Sequence, residues 1–522
     1  MKRLPLNTSD FTLMRESSLL YVDKTAIIHK LISSDDGAYM LSRPPRFGKS
    51  VLCSTLKAIF EAKREYFDVM GGYPALDINS LNWEWKKYPV IYLDMSDVGI
   101  CKDVETLRSS ILSLLIENAR KNGMEIEGNY PFLCLKNLIS SLKNEYDENV
   151  VVIIDDYDKP LLDSFNNPTL YKEMLNEMLS IYGVLKSTLS DLRFVFYAGV
   201  TKYAIDGIFS YMNYINDLNL NDQYAEICGF TEKEFEDNFE SEINEILLRT
   251  QKTKEEYFDE LKSYYFGHRF CKEAKYLYIP FGLMHHFYHN GELISFWMDT
   301  ALTKQAIKII VEEKVNVVNY ANIETVYEFL RAIEPERFYP LTLLYQSGLL
   351  TIKNYDAQKD LYTLDFPNIE VKAVFAKAML KQYLNSESDK DSTLIGKFPL
   401  TLNRGNAEEA INTLTEIITS VKSEILQKDD SFFEVMLYLV FSVLGFKNHY
   451  EINVAGKGHM EIVVKTKNYY YYFEFISTKS KGKKKIGFLR PNDINFYEVF
   501  QIKIEINDKN REMKLLELKT DS

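Results

Sequence analysis

The sequence predicts an α/β fold in which helices cover a mostly parallel sheet, followed by a mainly helical middle part and a small α/β tail. Three observations predict this arrangement. Short β-rich apolar runs alternate with stretches of helical period from residue 38 to about residue 200. Acidic helical segments dominate from residue 231 onward, and several strand-like runs close the chain. Alternating strands and helices of the first kind are typical of a parallel sheet.

The chain of 522 residues is too long for a single hydrophobic core, so about three folding units are expected. We predict a first domain over residues 1–230, a mainly helical domain with room for a winged helix over residues 231–395, and a third domain over residues 396–522. The polar stretch Asn385–Thr393 carries no apolar period and marks the second boundary.

Composition and charge exclude several classes of protein. The 62 basic and 75 acidic residues give a net charge of -13, which would repel nucleic acid unless a local basic patch overrides it. The five cysteines are isolated, so neither a zinc ribbon nor a disulfide framework is expected. The first residues lack a secretory apolar region, and uncharged stretches such as Phe338–Ile352 are too short to cross a membrane. We therefore expect a cytoplasmic protein without a membrane partner.

The first domain is predicted to contain four strands separated by helices. The predicted strands alternate with amphipathic helices, the first two of which cover residues 50–60 and 107–119. These strands cover residues 38–41, 89–96, 150–156 and 193–200. The tail is predicted to contain a helix and four strands, at residues 432–445, 459–464, 469–476, 500–506 and 512–518.

The most specific motif follows the first predicted strand. Gly48, Lys49 and Ser50 open an amphipathic helix, which is the context that a P-loop requires. Such a loop holds phosphate oxygens on backbone N–H groups, places a lysine on the terminal phosphates and a hydroxyl on Mg²⁺. Arg43 stands where the usual first glycine would be. We predict nucleotide contacts from Arg46, Phe47, Gly48, Lys49, Ser50 and Val51.

A second motif lies about a hundred residues further along. The wholly apolar run of residues 150–154 ends in Asp155 and Asp156, the arrangement of a Walker B strand. We predict that Ser50 and Asp155 hold Mg²⁺ and that Asp156 is the catalytic base. Because aspartate is one methylene shorter than glutamate, turnover is expected to be slow. Taken alone, the run would be interpreted as a buried strand that ends in a solvated acidic turn.

Two polar residues follow the last strand of the first domain. Thr201 is a candidate catalytic residue beside the γ-phosphate, and its structural alternative is a helix N-cap. Lys202 could stabilise charge at the same place, although a solvated lysine is the favoured interpretation.

The chain resembles a known family over nearly its whole length. The segments that carry the resemblance include YVDKTAIIHKLI, SRPPRFGKS, IIDDYDKPL, AGVTKYAIDGIFS, CGFTEKEF and LYQSGLLTIKNYD. They are similar to those of bacterial AAA-ATPase-like proteins with a C-terminal PD-(D/E)XK nuclease-like domain. The resemblance implies ATP and Mg²⁺ as ligands, a P-loop NTPase sheet and a restriction-endonuclease-like tail. It also implies that Arg43 is a family trait and that Asp156 replaces a glutamate.

The tail retains only part of the nuclease pattern that the resemblance implies. Glu434, Glu461 and Glu474 match the helix and strand acids of such a site, where carboxylates bind Mg²⁺. The lysine expected two residues after Glu474 is replaced by Ile476. Lys479 could substitute only through a bulge or turn, since side chains alternate along a strand. We therefore expect a degenerate nuclease site.

The stretch from residue 477 to residue 490 has six basic residues and no acidic one. It could bind DNA phosphates, and a solvated loop is an equally good interpretation.

The sequence therefore predicts an ATP-binding AAA-like protein that hydrolyses ATP slowly and is coupled to a degenerate nuclease-like domain. Its architecture suggests a role in defence or with mobile elements, and a homo-oligomer is conceivable. The alternatives are a nucleotide-binding scaffold that does not hydrolyse and an active Mg²⁺-dependent DNA nuclease.

Overall fold

The structure is a computed structural model in which thirteen stretches of the chain are described. They are residues 3–33, 37–203, 215–297, 301–313, 320, 322–333, 339–384, 389–421, 432–446, 449–454, 459–478, 497–507 and 512–521.

The chain divides into two compact units. The first comprises Met1–Phe296, Thr300–Ala306 and Asn322–Pro367, and the second comprises Trp297–Asp299, Ile307–Ala321 and Asn368–Ser522. The three domain ranges given above stay predictions.

A five-stranded sheet organises the first unit, and all its described pairings are parallel. This confirms the predicted α/β fold. Its strands are β1 (Ala38–Ser42), β2 (Val90–Asp94), β3 (Val150–Asp155), β4 (Leu192–Gly199) and β5 (Asn216–Asp217). Their order in the sheet is β2-β3-β4-β1-β5.

The register of the sheet brings the ends of its strands together. Ser42 pairs with Gly199, and Asp94 pairs with Asp155, so β1, β2, β3 and β4 finish along one edge. Strand β3 is buried throughout, as its uninterrupted apolar run requires of a strand covered on both faces. Ligands of open parallel sheets bind outside the carboxyl ends of the strands. This edge is therefore where a site is expected.

Helices cover the sheet, and two of them contain residues 50–60 and 107–119, where the apolar period predicted helices. They are α1 (Phe11–Glu16), α2 (Thr25–Ile32), α3 (Lys49–Phe60), α4 (Val104–Lys121), α5 (Pro131–Tyr146), α6 (Lys159–Ser164) and α7 (Pro168–Ser187).

Further helices and short strands follow the sheet along the chain. The helices are α8 (Glu232–Thr250), α9 (Lys254–Tyr265), α10 (Pro280–Tyr288), α11 (Ala301–Glu312), α12 (Tyr327–Arg331) and α13 (Pro340–Gln346). The strands are β6 (Phe266–His268), β7 (Leu277–Tyr278), β8 (Ile323–Thr325), β9 (Thr351–Asp356) and β10 (Leu361–Asp365). Strands β8, β10 and β9 form an antiparallel sheet. The winged-helix interpretation of this part stays a prediction.

The second unit contains helices and a five-stranded sheet of order β11-β12-β13-β14-β15. Its helices are α14 (Ile369–Tyr383), α15 (Asp389–Asn403), α16 (Ala407–Thr419) and α17 (Phe432–Ser442). Its strands are β11 (His449–Val454), β12 (His459–Lys465), β13 (Tyr469–Ser477), β14 (Glu498–Asn507) and β15 (Glu512–Asp521). All its pairings are antiparallel except β13 with β14. Phe441 of α17 packs on Phe473 and Phe475, so the apolar face of the sheet is covered by helix.

Candidate functional site

The loop between β1 and α3 is shaped for an anion. Gly48 is the N-cap of α3 and has a φ of 93°, in the left-handed region that glycine adopts without strain. Arg46 shares this left-handed conformation with a φ of 70°. The first N–H groups of α3 have no partner within the helix and carry the positive end of its dipole. The loop therefore presents donors for an anion at the carboxyl end of β1.

Lys49 lies at the first position of α3 with its side chain buried. Its Nζ donates to the carbonyl oxygens of Arg43, at 3.0 Å, and Pro44, at 3.2 Å. The ammonium is thus held over the loop rather than in bulk solvent. Weak neutral acceptors of this kind can be exchanged for phosphate oxygens, to which an ammonium binds more strongly.

Ser50 and Asp155 meet although they are a hundred residues apart in the sequence. Asp155 ends β3 and is 1% exposed, and the Ser50 hydroxyl lies near enough to its carboxylate to lower the pKa of that group. Burial, together with the charge of Asp156, raises the pKa of Asp155 to about 6, and Ser50 and Lys49 oppose this rise. Tyr92 Oη adds a longer contact of 3.4 Å to the same carboxylate. A buried carboxylate and a hydroxyl form an oxygen pair of the kind that Mg²⁺ prefers.

Asp156 lies next to this pair and lines a cavity at the loop. Its pKa is raised by burial, and Lys49 partly offsets the effect. Its φ of 48° is left-handed, a region that aspartate tolerates better than most residues. Two neighbouring acids with raised pKa values and one lysine leave the end of β3 suited to a divalent cation.

Thr201 is held by an acid that sequence reasoning missed. Its backbone N–H donates to Asp158 Oδ2 at 2.6 Å, and its hydroxyl donates to the same oxygen. Burial raises the pKa of Asp158 to about 6, and the two bonds from Thr201 oppose this. The only sequence signal was a third aspartate two residues after Asp156. Thr201 is fully buried, while the preceding Val200 lines the cavity. Its catalytic role stays a prediction.

Gly199 allows this network to form. A Cβ at this position would lie 2.5 Å from Asp158 Oδ1 and 2.6 Å from the Tyr157 ring. The end of β4 can therefore approach Asp158 only because residue 199 has no side chain.

Lys202 differs from the favoured expectation of a solvated side chain. It is 6% exposed, and its ammonium pairs with Asp217 of β5. Its backbone N–H donates to Gln346 Oε1 at 2.9 Å, and its carbonyl accepts from the N–H of Ile333 at 2.7 Å. Burial of a lysine requires such a partner, so the sequence pattern alone could not identify its place.

Arg43, in the position of the missing first glycine, has a structural role. Its guanidinium lies 4.4 Å from the centre of the Phe270 ring, and Nη1 donates to the carbonyls of Ser42 and Asn219. The side chain is 1% exposed and packs beneath the loop. The loop thus tolerates arginine because its side chain is directed into the protein.

Arg46, Phe47 and Val51 complete the predicted contact set. The Arg46 guanidinium lies 4.1 Å from the centre of the Phe281 ring and donates to the carbonyl of Phe296. Phe47 is fully buried. Arg46, Phe47 and Val51 all line the cavity.

The cavity has a volume of about 730 Å³, which lies in the range of small-molecule and cofactor sites. Besides the loop, it is lined by Leu20–Val22, Ile227–Phe230 and Met284, together with residues 5–9. These residues come from three distant parts of the sequence, and the segments YVDKTAIIHKLI and CGFTEKEF, which overlap two of them, do not by themselves indicate a shared cavity. Their apolar side chains provide a wall opposite the phosphate loop.

The tail brings two of its three predicted acids together. Glu461 and Glu474 are directly opposite on β12 and β13. Lys503 of β14 pairs with Glu474 at 3.0 Å, a partner that the sequence pattern did not indicate. Glu434 lies in the first turn of α17. Lys479 and the residues of the basic stretch after Thr478 lie outside the described residues.

No three His, Cys, Asp or Glu side chains are grouped to hold a metal within the described parts of the chain, which include Glu434, Glu461 and Glu474. The nuclease-like identity of the tail is not confirmed, and its acids stay predicted members of a degenerate site. No helix among the described residues is long and apolar enough to cross a membrane.

Part of this chain matches a family model, and two known proteins align with it. Residues 5–209 match the family model described as "Predicted AAA-ATPase", so this part of the chain is AAA-ATPase-like. An uncharacterized protein in the vnfD 5' region of Azotobacter chroococcum mcd 1 is 26% identical over 484 residues, which cover 91% of this chain and 89% of the relative. A solved structure of the Aeropyrum pernix ORC2 protein in ADPNP-ADP complexes aligns with 14% identity and a TM-score of 0.25, over 68% of this chain and 92% of that chain.

Proposed function

We propose that this protein binds ATP with Mg²⁺ at the loop between β1 and α3. The observation that carries the proposal is the contact between Ser50 and Asp155, with Lys49 beside them. A P-loop site needs these three groups close together, and the sequence separates Asp155 from Lys49 and Ser50 by about a hundred residues. The AAA-ATPase-like match of residues 5–209 supports the same conclusion.

The residues present fit both ligands. The N–H groups of Gly48 to Val51 and the Lys49 ammonium would hold the phosphates, while Ser50 and Asp155 would hold Mg²⁺ through oxygen. Bound Mg²⁺ would supply positive charge to the phosphoryl group. The apolar wall of Leu20–Val22 and Ile227–Phe230 would receive the base, since purines bind in apolar surroundings.

The binding proposal is tested with Lys49→Ala. Removing the ammonium should weaken ATP binding about 100-fold or more, because a charged contact to phosphate is lost in a buried site. Lys57→Ala on the same helix is the matched control and should bind as the wild type does. Calorimetric titration measures both, and unchanged affinity in Lys49→Ala would refute the proposal.

Slow hydrolysis is the second part of the proposal. Asp156 borders the cavity and would orient or deprotonate the attacking water. Its short side chain limits its reach, so turnover is expected below that of a glutamate-containing site. Asp156→Asn should keep ATP affinity and lose phosphate release.

The short side chain of Asp156 also suits a scaffold that binds ATP without hydrolysing it, since an acid of limited reach positions water poorly. This alternative is accepted if the wild type releases no more phosphate than Lys49→Ala does.

We further propose that the tail is a degenerate nuclease-like domain coupled to the nucleotide site. The side chain of Ile476 cannot carry a proton, and Lys503 already neutralises Glu474. An active nuclease is the alternative, and binding of DNA by residues 477–490 stays a hypothesis. Metal-dependent DNA cleavage that disappears in Glu474→Gln would establish the nuclease, and its absence with the wild type is the expected result.

A further inference from the structure

Strand β15 is the outermost strand in the described part of the second unit's sheet, and α16 lies close to it. Among the described strands only β14 pairs with it, along its whole length from Glu512 to Asp521. Most of its side chains are exposed, including Leu515 at 41% and Leu516 at 45%. An edge strand presents a row of N–H and C=O groups that can pair with another chain.

A bulge in the middle of β15 changes how its side chains alternate. Lys503 of β14 faces Glu517, whereas the next residue, Ile504, faces Leu515. Leu516 is therefore an extra residue that the ladder skips. Positions before and after the bulge that would otherwise lie on opposite faces now share one face.

The register assigns each side chain to a face. Residues opposite each other in an antiparallel ladder lie on the same side of the sheet. Four charged residues of β15 face odd-numbered residues of β14 and share one face: Glu512, Lys514, Glu517 and Lys519. The apolar residues face Ile502, Ile504 and Ile506 and share the other: Met513, Leu515 and Leu518.

We propose that two copies of this chain associate by antiparallel pairing of their β15 edges about a twofold axis between Leu515 and Leu516. Each pair of facing residues then complements itself. Glu512 faces Lys519 of the second copy, Lys514 faces Glu517, Met513 faces Leu518 and Leu515 faces Leu516. The charges are opposite at every charged position, and apolar residues meet apolar ones.

The symmetry of this pairing depends on the bulge. A twofold axis normal to a sheet keeps each side chain on its own face, so facing residues must belong to the same face. Lys514 and Glu517 meet this condition only because Leu516 is inserted between them. Twofold pairing uses the β15 edge of each copy, so no β15 edge is left for a third copy and the assembly stops at a dimer.

Lysines and bulges on edge strands are also devices that prevent pairing. Within the sheet Lys514 faces Glu505 and Glu517 faces Lys503 of β14, and the same residues are again complementary when the strand meets its own copy. The exposed pair of Lys519 with Glu517 within the strand, at 2.6 Å, costs little to rearrange. A second copy is therefore a partner whose charges fit this strand at each charged position that it faces.

The test uses two variants of the full chain, Lys514→Glu and Glu517→Lys. In a dimer of either variant, like charges face each other at two symmetric places, so the dissociation constant should rise about tenfold or more. In a mixture of the two variants, the first chain has acids at both positions and the second has lysines. The mixed dimer should form with wild-type affinity, as measured by analytical ultracentrifugation.

Lys467→Glu, at the exposed turn between β12 and β13, makes the same change of charge and should leave dimerisation unchanged. Recovery in the mixture distinguishes pairing from a folding defect, because both chains are then altered. A wild type that stays monomeric, assembles beyond dimers or pairs only with other proteins would overturn the proposal. So would a mixture that fails to dimerise. None of these outcomes depends on nucleotide binding.

Discussion

The nucleotide loop region and the sheet of the second unit use the same kinds of residue in different geometries. At the loop, buried Asp155 ends a parallel strand where a helix begins, half-buried Asp156 follows it, and Lys49 lies beside them. In the second unit, Glu461 and Glu474 lie side by side within antiparallel strands, and Lys503 pairs with one of them. Where the ends of strands and the start of a helix meet, charged side chains gather around a cavity. Where charged side chains lie next to each other on neighbouring strands, as Glu474 and Lys503 do, they pair with one another.

The largest expected effect compares the same change in both regions. Asp155→Asn removes the charge at the end of β3 and should lower the affinity for Mg²⁺-ATP about 100-fold or more, because the cation loses an anionic ligand. Glu474→Gln in the second unit should leave that affinity unchanged. Titration calorimetry with and without Mg²⁺ checks both. Equal losses in the two variants would show that the comparison is wrong.

Packing near Thr201 should produce the next largest effect. Gly199→Ala places a Cβ against Asp158 and Tyr157 and should lower the free energy of unfolding by about 2–3 kcal/mol. Gly183→Ala within α7 is the control, because its Cβ meets no atom within 4 Å, and it should be neutral or stabilise by about 0.5–1 kcal/mol. Chemical denaturation measures both. A tolerated Gly199→Ala would mean that Asp158 is held less tightly than its contacts suggest.

The pH dependence of stability sharpens the comparison further. A carboxyl with a raised pKa binds its proton more tightly in the folded state, so it destabilises the fold above its folded pKa of about 6. Asp155→Asn should therefore stabilise the protein without ligands by roughly 1–2 kcal/mol at neutral pH. The difference should vanish as the pH falls toward the ordinary pKa of aspartate. Thermal unfolding at a series of pH values would contradict this if the variant were less stable at neutral pH.

The smallest expected effect concerns the pair of Lys503 and Glu474. Both side chains are only partly buried, so their coupling should be below about 1 kcal/mol and should weaken with salt. A double-mutant cycle with Lys503→Met and Glu474→Gln measures it. A much larger coupling would indicate that this row of charges is as tightly organised as the loop.

The sequence predicted the parallel sheet because apolar runs alternate with amphipathic stretches, and it predicted that Ser50 and Asp155 act together because their two motifs match the halves of a P-loop site. It could not predict the apolar wall of the cavity, which distant segments build only after folding. The inward direction of Arg43 and the burial of Lys202 depend on Phe270 and Asp217, which lie far along the chain. Partners of this kind leave no local pattern.

The backbone of Lys202 has a mechanical consequence. Its N–H and carbonyl are hydrogen bonded to Gln346 and Ile333, so the backbone of Lys202 is held in place directly after Thr201. A displacement of Thr201 that moves Lys202 must break these two hydrogen bonds or move Ile333 and α13 as well. Movement at the end of β4 would thus be passed on to a helix more than a hundred residues away in the sequence.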